Sequence, residues 1–218
     1  MSNTQVVSKA TSSLTAVPPV VPTMAQHGDN NVQIAQANTV NVSKLIVQVQ
    51  GQQTIVPLTP GAGSSRDYYQ LFVTGDINLE NQTLSIPAER ALTESMSTSL
   101  KERLSPLDPE AIAELKTFPA LFMEEKGHYG SASSEQCAAY GVVTSIRILM
   151  RCIKIDFLSL YRIPQQHLNE MLDFLDLAGS KDFNELNRTH WAVKNVDLVN
   201  ELRRSGIVLP VLTPGSAI

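Results

Sequence analysis

Charge is scarce in the first third of this chain. Between Met1 and Ser65 the only ionisable acids and bases are Lys9, His27, Asp29 and Lys44, so the usual acidic or basic tail is absent. Charged side chains make up 17% of the 218 residues, against roughly 25% in an average domain. The formal net charge is −4. Without an overall excess of Lys and Arg the chain lacks the field that releases phosphate counterions, so nucleic acid is a possible partner but not a favoured one. Two cysteines, Cys137 and Cys152, are too few for a disulfide framework. Both sit in apolar runs and read as small buried hydrophobes. The N-terminus has no uninterrupted apolar run of a secretory signal, and no stretch approaches the ~18 apolar residues of a membrane span. A soluble, cytoplasmic protein with no membrane contact is expected.

The chemistry of catalysis is thin as well. The four histidines, His27, His128, His167 and His190, fall into no metal-ligand spacing with each other or with the cysteines. There is no strained Gly-x-Ser-x-Gly turn, and the glycines of 61–65 are followed by no lysine, so no phosphate loop is formed. No cofactor and no metal is expected. Glu124 and Glu125 are adjacent, so on a strand they point to opposite faces and cannot act as a pair.

What is present organises the chain into four parts. Residues 1–26, with Pro18, Pro19 and Pro22, predict an extended, disordered arm. Residues 27–66 begin with a turn signal at Gly28 to Asn31, followed by Val32, Ile34, Val40, Val42, Leu45, Val47 and Val49 in period-two sets. That is the pattern of short half-buried strands. Their polar positions are nearly uncharged, and an uncharged Asn/Gln-rich edge lacks what normally blocks strand addition. This marks Val32, Ile34, Val40 and Val42 as candidates for oligomerisation or docking, ahead of a Pro/Gly linker at 54–67. Residues 67–212 carry the main domain, and 213–218 should fray.

Within the domain, 68–76 and 81–87 read as two strands able to pair as a hairpin. A stripe at Ala91, Leu92, Met96, Leu100 and Leu104 predicts a helix over 88–104. Asp108 followed by Pro109 predicts a second helix at 109–117. PALFMEE, the long apolar run from Cys137 to Met150, and the alternating run from Cys152 to Ile163 predict a three-strand meander or partly open barrel, with a bend at Met150 and Arg151. Helices are expected over 164–178 and 196–205, with a loop between them and an edge strand at 207–212. The expected class is α+β: a small curved antiparallel sheet or partly open barrel flanked by about four helices.

The densest polar and aromatic group lies in that loop: Asn184, Glu185, Asn187, Arg188, Thr189, His190, Trp191 and Lys194. One reading makes Trp191, the single tryptophan, a packed anchor with its N–H satisfied. The other makes Arg188, Thr189, His190 and Trp191 a recognition surface, since Arg and Trp suit both protein anchors and base-stacking ligands. His128 and Tyr129, beside Glu124, Glu125 and Lys126, form a second candidate for binding or for a composite enzyme site.

From about Tyr68 to Leu209 the stretches YYQLFVTGD, RALTESMSTSLKERL, FPALF, HYG, AYGVVTSI, RIPQQHLNE and FNELNRTHWAVK resemble an uncharacterised bacterial domain of mobile and defence-associated loci. HGDNNVQIAQANTVNV is similar to the short Asn/Gln-rich motifs that precede effector modules in bacterial conflict systems. The resemblance implies a multi-protein immune setting and brings no catalytic residues. The expectation is therefore a non-catalytic interaction and assembly subunit, binding copies of itself or a co-encoded effector or ATPase. A nucleic-acid or nucleotide sensor is the alternative, and an enzyme the second.

Overall fold

The computed structural model describes residues 59–127 and 131–209 with their side chains, and the backbone of a few short strands outside them. The expected arm at 1–26 and the candidates Val32, Ile34, Val42, His128 and Tyr129 lie outside the described residues. Strand β1 is Val40–Asn41, so the backbone of Val40 falls within it. Lys44–Val49 (β2) and Gln52–Pro57 (β3) pair as an antiparallel hairpin. The linker expected from residue 54 thus begins later. Its first residues complete β3, whose β-branched Thr54, Ile55 and Val56 suit a pleated strand.

The main sheet has seven strands: Tyr69–Val73 (β4), Ile77–Asn78 (β5), Thr83–Pro87 (β6), Pro119–Met123 (β7), Cys137–Ile148 (β8), Cys152–Pro164 (β9) and His190–Lys194 (β10). Their order is β10-β4-β7-β8-β9-β6-β5. The sheet is open, and β4 runs parallel to β7, so it is mixed rather than antiparallel. The meander β7-β8-β9 forms as expected. The hairpin expected from 68–76 and 81–87 does not: β4 lies between β10 and β7, while β6 pairs with β9 far across the sheet. Every residue of β4, β7 and β10 is buried. A strand buried on both faces reads as a continuous run and belongs at the centre of layers.

Helices cover both faces. Thr98–Leu104 (α1) and Pro109–Leu115 (α2) join Phe72, Phe122, Phe157 and Trp191 in one core, while Gln165–Asn169 (α3) and Leu198–Arg204 (α4) join Tyr69, Leu71, Leu121 and Tyr140 in the other. None of the described helices is long and apolar enough to cross a membrane. The first helix starts ten residues later than its apolar stripe suggests. Leu92 and Ser95 take positive φ, and Leu92 N–H donates to the Trp191 carbonyl at 2.8 Å, so the segment spends its hydrogen bonds covering the edge of β10. The helix expected over 164–178 ends at Asn169, whose side chain is held by Lys126 and Asn184. Its stripe of Leu168, Met171, Leu172 and Leu175 nonetheless faces inward. Of the edge strand expected at 207–212, residues 207–209 lie outside any strand, while Leu212–Thr213 (β11) pairs parallel to β1.

Two local signals hold as written. Asp108 caps α2 by accepting from Ala111 N–H at 2.8 Å, with Pro109 at the first helical position. Replacing Asp108 by Ala should lower stability by about 1 kcal/mol in a urea titration. Gly141 lies where β8 shifts register against β9, and a Cβ there would run into the Leu158 carbonyl.

Candidate functional site

The segment Asn184 to Lys194, expected to be a loop, folds as a 3-10 turn, Glu185–Asn187, followed by β10. Asn184 caps the turn through its side chain while Asn187 returns a bond to the Asn184 backbone. Gly179 closes the approach: its φ is +113°, it bridges to Asn184, and a Cβ there would strike the Phe183 carbonyl. Residues of β10 alternate by face. Trp191 and Val193 enter the aromatic core, and His190 and Lys194 share the opposite side, beneath the turn.

That arrangement encloses an acid. Glu185 is 1% exposed. Its Oε1 accepts from Lys194 Nζ at 2.8 Å and from Ala178 N–H at 2.7 Å, and its Oε2 lies 3.2 Å from His190 Nε2. The other ring nitrogen of His190 is 3.0 Å from the Arg188 carbonyl. Burial pushes the Glu185 carboxyl up, but hydrogen bonds from His190 and Lys194, the Lys194 charge and the Ala178 N–H together outweigh it and hold the group below its ordinary range. Burial, then Glu185 and Asp176, raise the Tyr69 phenol well above its usual value, and its hydroxyl donates to the Leu175 carbonyl at 2.7 Å.

A second buried polar group adjoins the same turn. Lys126 Nζ donates to Asn169 Oδ1 at 2.8 Å and to the Lys181 carbonyl at 2.9 Å, and Asn184 Nδ2 also reaches Asn169 Oδ1. Asn187 Nδ2 donates to the Lys126 carbonyl and Lys126 N–H to the Leu186 carbonyl. Burial lowers the Lys126 ammonium below its usual value, opposed by Asp182. These bonds fasten the 180–187 segment to the end of β7. Through these bonds each group ties the turn to its neighbouring strands.

The recognition surface expected at 188–191 is therefore corrected for two of its members. His190 and Trp191 are fully enclosed, because β10 is covered on both faces and along its outer edge, and neither can meet a partner. The indole N–H of Trp191 was expected to be satisfied, yet it has no acceptor among the described residues. Its stabilisation comes from stacking on Phe72 at 5.0 Å, in a row continued by Phe122 and Phe157. Thr189 is half-buried. Arg188 reaches the surface, 40% exposed, and is engaged by Glu94 at 3.2 Å and by Ser95 Oγ at 3.2 Å. Arg188→Ala should cost at most about 1 kcal/mol, the range for exposed pairs, and leave the melting temperature nearly unchanged.

Cys137 and Cys152 are half-buried at strand ends rather than enclosed as expected. Cys137 lies with Glu124, Gln136 and Arg162 along a shallow groove of about 360 Å³. Among the described residues no group of His, Cys, Asp and Glu is placed to hold a metal ion.

The surface most unlike an ordinary exterior is one the sequence reading passed over. The hairpin of β8 and β9 ends in Ile148, Leu149 and Met150, all exposed, with Met150 96% exposed. Arg147 and Arg151 flank it, also exposed. The β9 side of this hairpin is anchored: β6 pairs with Cys152 to Asp156, and Ala88 N–H donates to the Arg151 carbonyl at 3.1 Å. Among the described residues nothing pairs with the outer side of β8 toward the tip, because β7 pairs with β8 only from Ala139 to Val142. The available signal was the run IRILM at a bend, too apolar for a solvated turn. No family model, no curated protein and no solved structure matches this chain.

Proposed function

We propose that this chain is a binding and assembly module that works without chemistry of its own, with the β8–β9 hairpin tip as its contact surface. One observation carries the reading: three large apolar side chains in succession, Ile148 to Met150, stand exposed at the end of a hairpin whose β9 strand is paired with β6 up to Cys152. An exposed apolar group of this kind, rimmed by charged residues, marks an interaction site. The enclosure of His190, Glu185 and Lys194 fits the same reading, since the residues best suited to acid–base chemistry serve as internal ties. In this reading the module would serve in a bacterial defence complex beside an effector or ATPase, with the N-terminal β-rich segment contributing to self-assembly. The sequence stretches quoted above for their resemblance to a defence-associated domain support it.

The test is a photo-crosslinking amino acid at Met150 of the full chain, expressed in its native cells. Discrete adducts with one or a few proteins are expected, and none of them from the same group at Asn200, an exposed position on α4. Identical diffuse labelling from both positions refutes the reading.

A further inference from the structure

We propose that the edge of β8 from Thr144 to Ile148, unpaired among the described residues, receives an extended segment of a partner protein as an added strand, and that this segment alternates apolar and acidic residues. The proposal rests on the binding-module reading and specifies its partner.

The backbone geometry comes first. Leu149 N–H donates to the Cys152 carbonyl at 2.9 Å, so Leu149 and Cys152 face each other across a bonded pair. In an antiparallel ladder bonded and non-bonded pairs alternate. Arg147 is then bonded to Lys154, while Ile146 and Ile148 turn their N–H and C=O groups away from β9. No described strand lies on that side beyond Val142. Two residues with outward donors and acceptors, two positions apart, are the template that an added strand reads.

Side chains then select the strand. Ile146 and Ile148 share one face and Ser145 and Arg147 the other. An added strand thus meets Ile148 and the half-buried Ile146 on one face and, on the other, Ser145 and the single basic residue of the edge, Arg147. Within the hairpin end itself, residues 144–156, the tip adds Met150, Arg151 and, across from Arg147, Lys154, all exposed, against one acid, Asp156. Asp76 and Glu89 lie on the far, β6 side of β9, away from the β8 edge. In a chain of net charge −4 this is a local basic ridge. Arg147 is paired with Asp156 at 3.0 Å, an exposed bridge weak enough for a competing carboxylate to replace. Opposite charges across strands stabilise and like charges directly opposite destabilise.

The same pattern argues against other occupants. In a second copy, the antiparallel register that matches Ile146 to Ile148 at both open positions sets Arg147 opposite Arg147 of the copy. The chain's own β2 carries Lys44 and no acid. A lipid surface offers no fixed partner for outward N–H and C=O groups.

The experiment uses the full chain and three fluorescent peptides of about eight residues, strand length: alternating valine and glutamate, alternating valine and lysine, and the first peptide N-methylated at alternate residues. The glutamate peptide should bind at least about tenfold more tightly than the other two, a difference of ~1.4 kcal/mol, and weaken with salt. Its complex should slow hydrogen exchange at the Ile146 and Ile148 amides, and Arg147→Glu should reverse the charge preference. Equal binding of all three peptides, protection elsewhere in the sheet, binding to phosphatidylserine vesicles without peptide preference, or a dimer in light scattering that protects these amides each overturns the proposal. If discrete crosslinks from Met150 persist while the peptide preference is absent, strand addition falls and the binding-module reading stands.

Discussion

Replacing Glu185 by Ala should lower the unfolding free energy by about 3–5 kcal/mol, the cost of stranding a buried charge. The variant leaves the Lys194 ammonium without its carboxylate, removes the acceptor of His190 Nε2, and frees the Ala178 N–H. A urea titration should show the midpoint falling with little change in slope. Replacing Glu185 and Lys194 together by apolar residues of similar volume should recover much of the loss, because the desolvation cost of both charges disappears with them. A double replacement as damaging as the sum of the singles would show that the pair does not act as a unit.

The same site sets an acid dependence. The folded carboxyl of Glu185 is held below its ordinary value of 4.5. A lowered folded value means that the unfolded chain binds the proton first, so stability rises with pH over that interval. The contribution is complete above the ordinary value and is lost as pH falls through the lowered one. Wild-type stability should fall below about pH 4.5 more steeply than that of Glu185→Gln. Parallel pH profiles of the two proteins would assign the acid sensitivity to other groups.

Trp191→Ala should cost about 3–5 kcal/mol, the range for large aromatic truncations in a core. The indole is fully buried and stacked on Phe72, at the end of a row of rings crossing β10, β4, β7 and β9. Trp191→Phe should cost about half as much: it keeps the stacking partner, and no hydrogen bond is lost because the indole N–H has no acceptor among the described residues. Thermal denaturation of both variants separates the terms. A phenylalanine variant as unstable as the alanine one would mean that the indole N–H is bonded after all. Neither substitution should alter contacts made by the hairpin tip, which is carried by strands three and four places from β10 in the sheet.

The sequence by itself determined the elements whose signals are local. Asp108 and Pro109 announce α2 because a cap needs only residues within one turn. The alternation from Cys152 to Ile163 and the bend at Met150 announce the β8–β9 hairpin, whose partner strand is the next one along the chain. Trp191 as an internal anchor was also legible, from size and composition.

Only the tertiary structure decided which strands are neighbours. β4 lies parallel to β7 and antiparallel to β10, pairings between segments distant in sequence that no local period encodes. HWAVK reads as loop because a strand buried on both faces shows no alternation of polarity, and His190 and Lys194 look solvated until Glu185 is folded over them. Even so, Glu185, His190 and Lys194 carried one usable signal, a histidine and a lysine at strand spacing with an acid just upstream. The helix over 88–104 obeyed its stripe only from Thr98 onward, because Leu92 gains more by bonding the edge of β10 than by extending a helix. The end of β8 that no described strand covers was invisible for the same reason: where β7 stops short, at Val142, is settled by packing across the whole sheet.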